Sequence, residues 1–182
     1  SHVVVTNNDP ADFHNLKGAF DIIVVDAPCS GEGMFRKDPN AIQEWSENNL
    51  QLCSERQQRI LADIWPCLKP GGFLVYSTCT YNPGENEAIL ELLIRKYGAR
   101  SIEITPLFPG IVPGNSNAHC YHFYPHRIPG EGFFTGVVQK TEGEEFRAGK
   151  RKKNTKTQNL LLPGVPGLPQ PERSFRISRV RT

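Results

Sequence analysis

The hydrophobic and polar positions of this chain fall into blocks whose period switches between strand-like and helix-like. Val3-Val4-Val5 is a β-branched run that stops at Thr6-Asn7-Asn8-Asp9-Pro10, which predicts a strand over 3–6 and then a loop. A second apolar run predicts a strand over 20–25, followed by Asp26-Ala27-Pro28-Cys29-Ser30-Gly31 and a Gly-rich loop with Gly31 and Gly33. Over 49–65 the period lengthens: Cys53, Ile60, Leu61, Ile64 and Leu68 keep near-helical spacing, and Pro66 must kink or end that helix. Lys69-Pro70-Gly71-Gly72 predicts a turn, and 73–77 predicts a strand that runs into Ser77-Thr78-Cys79-Thr80-Tyr81. Asn82 then reads as an N-cap, Pro83 as the first helical residue and Glu85 as the capping-box partner. Ile89, Leu90, Leu93, Ile94 and Tyr97 form the buried stripe of that helix, and Gly98 stops it. A short strand over 101–105 and a hairpin of 121–124 with 133–138 complete the pattern.

Strand–helix–strand order makes the strands over 20–25 and 73–77 parallel neighbours; with the strand over 3–6 they are expected to form three parallel strands beside a terminal antiparallel hairpin, so the fold class is α/β. Ligands of open α/β sheets bind outside the carboxyl ends of the strands. Cys29 and Cys79 each follow such an end, so both thiols are aimed at the place where chemistry would occur. A thiolate is a strong nucleophile once a helix N-terminus or a cation lowers its pKa, although a single cysteine after a strand is more often a small buried hydrophobe. Two on adjacent parallel strands, one preceded by Asp-Ala-Pro, favour catalysis. Cys53 and Cys67 read as packing.

Composition changes this picture in two places. Five cysteines exclude complete internal pairing, and no apolar run is long enough to span a membrane, so a reduced, cytoplasmic setting is expected. The net charge of +2 is unevenly placed: residues 1–140 hold 11 Lys+Arg against 15 Asp+Glu, and residues 141–182 hold 10 against 4. The segment 141–182 also carries Pro163, Gly164, Pro166, Gly167, Pro169 and Pro171 without apolar periodicity, and reads as a basic linker or tail. A polyanion such as RNA would complement it; a solvated tail without a partner is the alternative. His119, Cys120, His122 and His126 lack a standard zinc spacing, and His119 and His122 would point to opposite faces of a strand, so no metal is assigned.

Asp26-Ala27-Pro28-Cys29-Ser30-Gly31-Glu32-Gly33 and Ser77-Thr78-Cys79-Thr80 resemble the two signature motifs of the Sun-family RNA (cytosine-5) methyltransferases. Arg36-Lys37-Asp38-Pro39, Trp65-Pro66-Cys67-Leu68-Lys69-Pro70-Gly71-Gly72 and Asn82-Pro83-Gly84-Glu85-Asn86-Glu87 resemble the bacterial ribosomal RNA branch of RsmF-like enzymes, and the likeness covers about residues 3–140. The resemblance implies a Rossmann-like methyltransferase sheet, S-adenosylmethionine as cofactor, and methyl transfer to carbon 5 of a cytosine in RNA. By the same resemblance Cys79 is the nucleophile and Cys29 assists product release; DNA cytosine methyltransferases use a Pro-Cys cysteine as nucleophile, which leaves the swapped assignment open. Asp26 is implied as a base or cofactor contact, Asp9 and Pro28 as cofactor contacts, and Arg36 and Lys37 as RNA contacts, with loop-capping and solvated roles as the alternatives.

The family's Gly-rich cofactor loop and ribose-binding acidic residue have no counterpart before Val3. Residues 1–140 are therefore expected to be the C-terminal half of a catalytic domain, its N-terminal strands missing and its upstream half a partner, with an exposed strand edge near Val3–Val5. A catalytically silent RNA-binding or assembly module is the rival reading from a different class. Amino-group methylation is discounted because Asp26-Ala27-Pro28-Cys29 departs from its Asn/Asp-Pro-Pro-aromatic motif.

Overall fold

The computed structural model describes residues 3–105 and 108–143. The chain enters through a one-turn 3-10 helix, Pro10–Phe13, and reaches β1 (Phe20–Asp26). Two helices follow, α1 (Pro39–Glu44) and α2 (Glu47–Ile64), and Pro66 converts the end of α2 into a 3-10 turn at Trp65–Cys67. Then come β2 (Leu68–Thr78), α3 (Glu87–Tyr97), β3 (Arg100–Ile102), β4 (Val112–Pro113), β5 (Cys120–Phe123) and β6 (Phe133–Gln139). Asp38 and Ser46 cap α1 and α2 through their side chains, and Gly98 ends α3 in the left-handed region at φ 62°. None of the described helices is long and apolar enough to cross a membrane.

The strands form one sheet in the order β1-β2-β6-β5-β4, with β3 also paired to β6. β1 and β2 run parallel with Val25 opposite Tyr76 and Asp26 opposite Ser77. All the other pairings are antiparallel, including the β5–β6 hairpin that places His122 opposite Phe134. One face of the sheet is closed by α2 and α3. There Val25, Leu74, Tyr76, Phe134 and Val138 pack with Leu61 of α2 and with Ile89, Leu90 and Leu93 of α3 in one buried cluster. The predicted stripe of α3 is thus the one that is buried. The opposite face is open: Ile22 and Val24 of β1 are 61% and 69% exposed, and Phe73 beside them is 37% exposed. A parallel strand normally carries apolar residues on both faces because both are covered, and β1 has that composition with one face bare.

Four expectations are corrected. Val3, Val4 and Val5 form no strand and are exposed, so the sheet edge is β1 itself; β-propensity acts through packing against neighbours rather than through the backbone alone. Among the described residues one pair of strands, β1 and β2, is parallel, where three parallel strands were expected. Lys69–Gly72 is not a turn between elements but a bulge inside β2. The β1 register jumps there from Phe20–Leu68 to Ile22–Phe73, Gly71 takes φ 78°, and the Gly71 N–H donates to the Lys140 carbonyl while the Lys140 N–H donates to the Gly72 carbonyl. The helix expected from Asn82 begins at Glu87: the Asn82 carboxamide closes a local turn on the Gly84 N–H at 2.7 Å, and Glu85 is drawn away from any capping role.

Phe134 is fully buried between Tyr76, with which it packs edge-on, and the His122 ring. Phe134→Ala is expected to cost about 3–5 kcal/mol, read as a lower midpoint in urea denaturation with little change in its slope.

Candidate active site

The parallel register of β1 and β2 ends level at Asp26 and Ser77, so the loops that leave them run side by side. The Ala27 N–H continues the ladder onto the Ser77 carbonyl at 2.9 Å, and two residues further on the thiols meet: Cys29 Sγ lies 3.1 Å from Cys79 Sγ. Both are half-buried, and all five cysteines are free. The Gly-rich turn folds onto this pair. Gly33 N–H donates to the Cys79 carbonyl at 2.7 Å, and a Cβ at position 33 would stand 2.6 Å from that same oxygen, so the close approach requires glycine.

The two sulfurs are not equivalent. The Cys79 thiol is pushed down to about 7, chiefly because Cys29 donates a hydrogen bond to its thiolate and secondarily through backbone N–H support, against burial and the nearby Asp26 and Glu85 carboxylates. The Cys29 thiol is pushed up, by the hydrogen bond it gives to Cys79 and by its deeper burial. Of the pair, Cys79 is the more readily ionised, with Cys29 as its hydrogen-bond partner.

A buried polar network sits behind the thiols. Glu85 Oε1 accepts from the Ser30 N–H at 2.9 Å and from Gln57 Nε2 at 3.0 Å, while Oε2 accepts from Ser30 Oγ at 2.5 Å. Gln57 Nε2 also donates to the Pro28 carbonyl at 2.9 Å, and Ser30 Oγ lies 3.0 Å from Thr80 Oγ1. Asn86 accepts from Thr78 Oγ1 at 2.6 Å and donates to the Thr80 carbonyl at 2.9 Å. The Tyr76 hydroxyl donates to the Glu85 carbonyl at 2.7 Å. The joining of these residues into one network escaped the reading of the sequence, which gave Glu85 a capping-box role. The signal was present in Asn82-Pro83-Gly84-Glu85-Asn86-Glu87, where two polar residues precede the apolar stripe of α3, but the partners lie 28 and 55 residues away.

The remaining expected site residues separate into three groups. Asp26 stands exposed at the carboxyl end of β1 and accepts from Ser77 Oγ at 3.2 Å, which leaves carboxylate acceptor capacity beside the thiols. Asp9 is tied to α2 instead: its two oxygens accept from Arg59 Nη1 and Nη2 at 2.9 and 3.1 Å, and it caps the Pro10–Phe13 turn. The Arg59 hydrogen bond holds the Asp9 carboxyl below its ordinary value. Arg36 and Lys37 converge on the loop before β6, Arg36 on the Gly130 carbonyl at 3.4 Å and Lys37 on Glu131 at 3.1 Å. Tyr81, two residues after Cys79, joins them through its hydroxyl bond to the Glu131 carbonyl at 2.8 Å. That brings two cations and an aromatic ring to the rim beside the thiols.

The histidine group takes another role. His122 is buried and pairs with Glu87 at 2.7 Å, and its ring stacks on Tyr124 with centroids 5.2 Å apart. Burial opposes ionisation of Glu87, but the His122 hydrogen bond and the Glu87 backbone N–H outweigh it and lower its pKa. Among the described residues there is no group of three or more His, Cys, Asp or Glu placed to hold a metal. Cys67 is buried, with its thiol on the Phe13 carbonyl at 3.2 Å, and takes the packing role expected of it.

The family model for the 16S rRNA methyltransferases RsmB/F matches residues 1–139. The ribosomal RNA small subunit methyltransferase F of Shewanella sp. (strain W3-18-1) is 38% identical over 144 residues, which are 78% of this chain and 30% of that protein. Its namesake from Escherichia coli O7:K1 is 40% identical over 146 residues, with the same coverage. Among solved structures, NSun6 from Pyrococcus horikoshii with SFG superposes with a TM-score of 0.57 at 31% identity, covering 66% of this chain and 30% of that one. The chain spans about a third of the length of the relatives it matches. Its α/β sheet is of the Rossmann-like methyltransferase type, and the chain belongs to the RsmB/F family of 16S rRNA methyltransferases.

Proposed function

We propose that this chain carries the thiol pair of an RNA (cytosine-5) methyltransferase acting on ribosomal RNA with S-adenosylmethionine as methyl donor. The observation that carries the reading is the 3.1 Å contact between Cys29 and Cys79 at the ends of two parallel strands. Carbon 5 of cytosine is too electron-poor to take a methyl group directly, and nucleophilic addition at carbon 6 overcomes this. Cys79, the more acidic thiol, adds to carbon 6, and the displaced electron pair makes carbon 5 nucleophilic. When bound, S-adenosylmethionine supplies the electrophilic methyl group. After transfer a base removes the carbon 5 proton, the carbon 6–sulfur bond breaks, and its electron pair returns to Cys79. Cys29 is the less acidic thiol and stands 3.1 Å from the departing sulfur, which supports its role in release over the swapped assignment.

The residues present fit such a cofactor in part. Asp26 offers exposed carboxylate oxygens next to Cys79, suited to a hydroxyl or amino donor, and it is also a candidate for the base. Asp9 would have to exchange its Arg59 partner to meet an adenine, and the carbonyl of Pro28 is already used by Gln57. Arg36 and Lys37, with Tyr81 beside them, suit the phosphates and a stacked base of unpaired RNA; the target cytosine must leave its stack to reach the thiols. The bare face of β1 and β2 fits an upstream half of the same catalytic domain as its cover, consistent with relatives about three times longer. Five free thiols suit a reducing cytoplasm.

Two measurements test the thiol assignment. Site-resolved alkylation against pH is expected to show Cys79 reacting with a midpoint near 7, and Cys29→Ala should move that midpoint upward into the ordinary thiol range of about 8.5. A Cys79 midpoint indifferent to Cys29 would sink the shared-proton arrangement. In the full-length protein supplied with S-adenosylmethionine and ribosomal RNA, Cys29→Ala should accumulate a covalent protein–RNA adduct visible on denaturing gels. Cys79→Ala should abolish both adduct and transfer; the opposite pattern would reverse the roles.

A further inference from the structure

The network behind the thiols has a centre. Glu85 and Gln57 are 0% exposed, and the Glu85 carboxylate collects three donors, two of them from Ser30. Ser30 immediately follows Cys29 and its hydroxyl touches Thr80, which immediately follows Cys79. Gln57, bound to the same carboxylate, holds the carbonyl of Pro28 on the other side of Cys29. One side chain thus fixes both flanks of the first thiol and one flank of the second.

We propose that Glu85 is the positioning residue of the thiol pair, and that its carboxylate, through Ser30 and Gln57, keeps the Cys29 and Cys79 sulfurs at hydrogen-bonding distance. A thiol–thiolate bond is short-ranged, so a small relaxation of either loop breaks it. The carboxylate is suited to this because it accepts only: the Ser30 N–H, the Ser30 hydroxyl and the Gln57 amide all point donors inward, and buried donors left unpaired cost about 1–3 kcal/mol each. A glutamine at 85 would turn one of those acceptors into a donor facing a donor.

The sign of one observable separates positioning from two simpler roles. As a charge, Glu85 disfavours the Cys79 thiolate, so removing that charge with the geometry intact would lower the Cys79 midpoint. As a mere stabiliser of the fold, it would change the denaturation midpoint and leave the thiol titration of the folded fraction where it was. As the positioning residue, it holds the Cys29 hydrogen bond in place, and its loss raises the Cys79 midpoint. The inference deepens the proposed function at the same site, but thiol titration needs neither RNA nor cofactor.

The experiment is mass-spectrometric, site-resolved alkylation of Cys79 against pH in the whole chain, comparing wild type, Glu85→Gln, Cys29→Ala and the double variant. Expected is an upward shift for Glu85→Gln of about one pH unit or more, with no further rise when Glu85→Gln is added to Cys29→Ala, because both act through the same bond. A midpoint that stays or falls in folded Glu85→Gln protein overturns the proposal. If that variant fails to fold, Ser30→Ala cuts the hydroxyl link to Glu85 and Thr80 while leaving the carboxylate; it should shift Cys79 in the same direction, and an unmoved midpoint overturns the proposal equally. Absence of methyl transfer in the full-length wild type, together with absence of an RNA adduct in full-length Cys29→Ala, would count against the methyl-transfer reading and leave the midpoint comparison to decide on Glu85.

Discussion

The arrangement depends on the parallel register of β1 and β2. Because Asp26 stands opposite Ser77, two loops that are 50 residues apart in sequence leave the sheet at the same level and in the same direction. An antiparallel pair would have put one cysteine at each end of the sheet. A slip of one residue would have turned one strand's side chains to the other face. The register is secured by the alternation that buries Val25, Leu74 and Tyr76 under α2 and α3, so the apolar core sets the chemistry's geometry before any polar contact forms.

What the core cannot set is the last ångström. Irregular loops at the end of a sheet have unpaired backbone and hydroxyl groups, and inside a protein these must find partners. Here they find one carboxylate and two carboxamides, from Glu85, Gln57 and Asn86, delivered by α2 and by the turn before α3. The same helices that cover the sheet therefore also brace the loops. A buried carboxylate is tolerable because three donors replace its water, and the result is a rigid backing to a pair of reactive groups. The close contact of Gly33 with the Cys79 carbonyl adds a second brace from the Gly-rich turn.

Much of this was legible in the sequence where the information is local. Apolar runs gave β1 and the later part of β2, helical spacing gave α2 and α3, and the two cysteine motifs marked the site, since turn and strand signals lie within a few residues of one another. Local signals misled where the outcome was decided at a distance. Val3–Val5 has the composition of a strand and lies outside the sheet. Lys69–Gly72 has the composition of a turn, yet Lys140, some 70 residues on, pairs with it and keeps it inside β2. Glu85 occupies a capping-box position by spacing, and Ser30 and Gln57 claim its carboxylate instead. The acidity difference between the cysteines was likewise out of reach, because it arises from their mutual contact and unequal burial.

The open face of β1 and β2 bears on why the site can be so complete in a chain that spans about a third of its relatives. Every contact that fixes the thiols comes from the covered side of the sheet or from the loops at its carboxyl edge: α2, the turn before α3, and the Gly33 loop. Ile22, Val24 and Phe73, on the bare side, make none of them. The thiol pair is thus built by one side of the sheet, and the other side is left bare. Placement of the thiols is a folding problem local to this segment, and at the carboxyl edge of β1 the strand adds one exposed carboxylate beside them, that of Asp26.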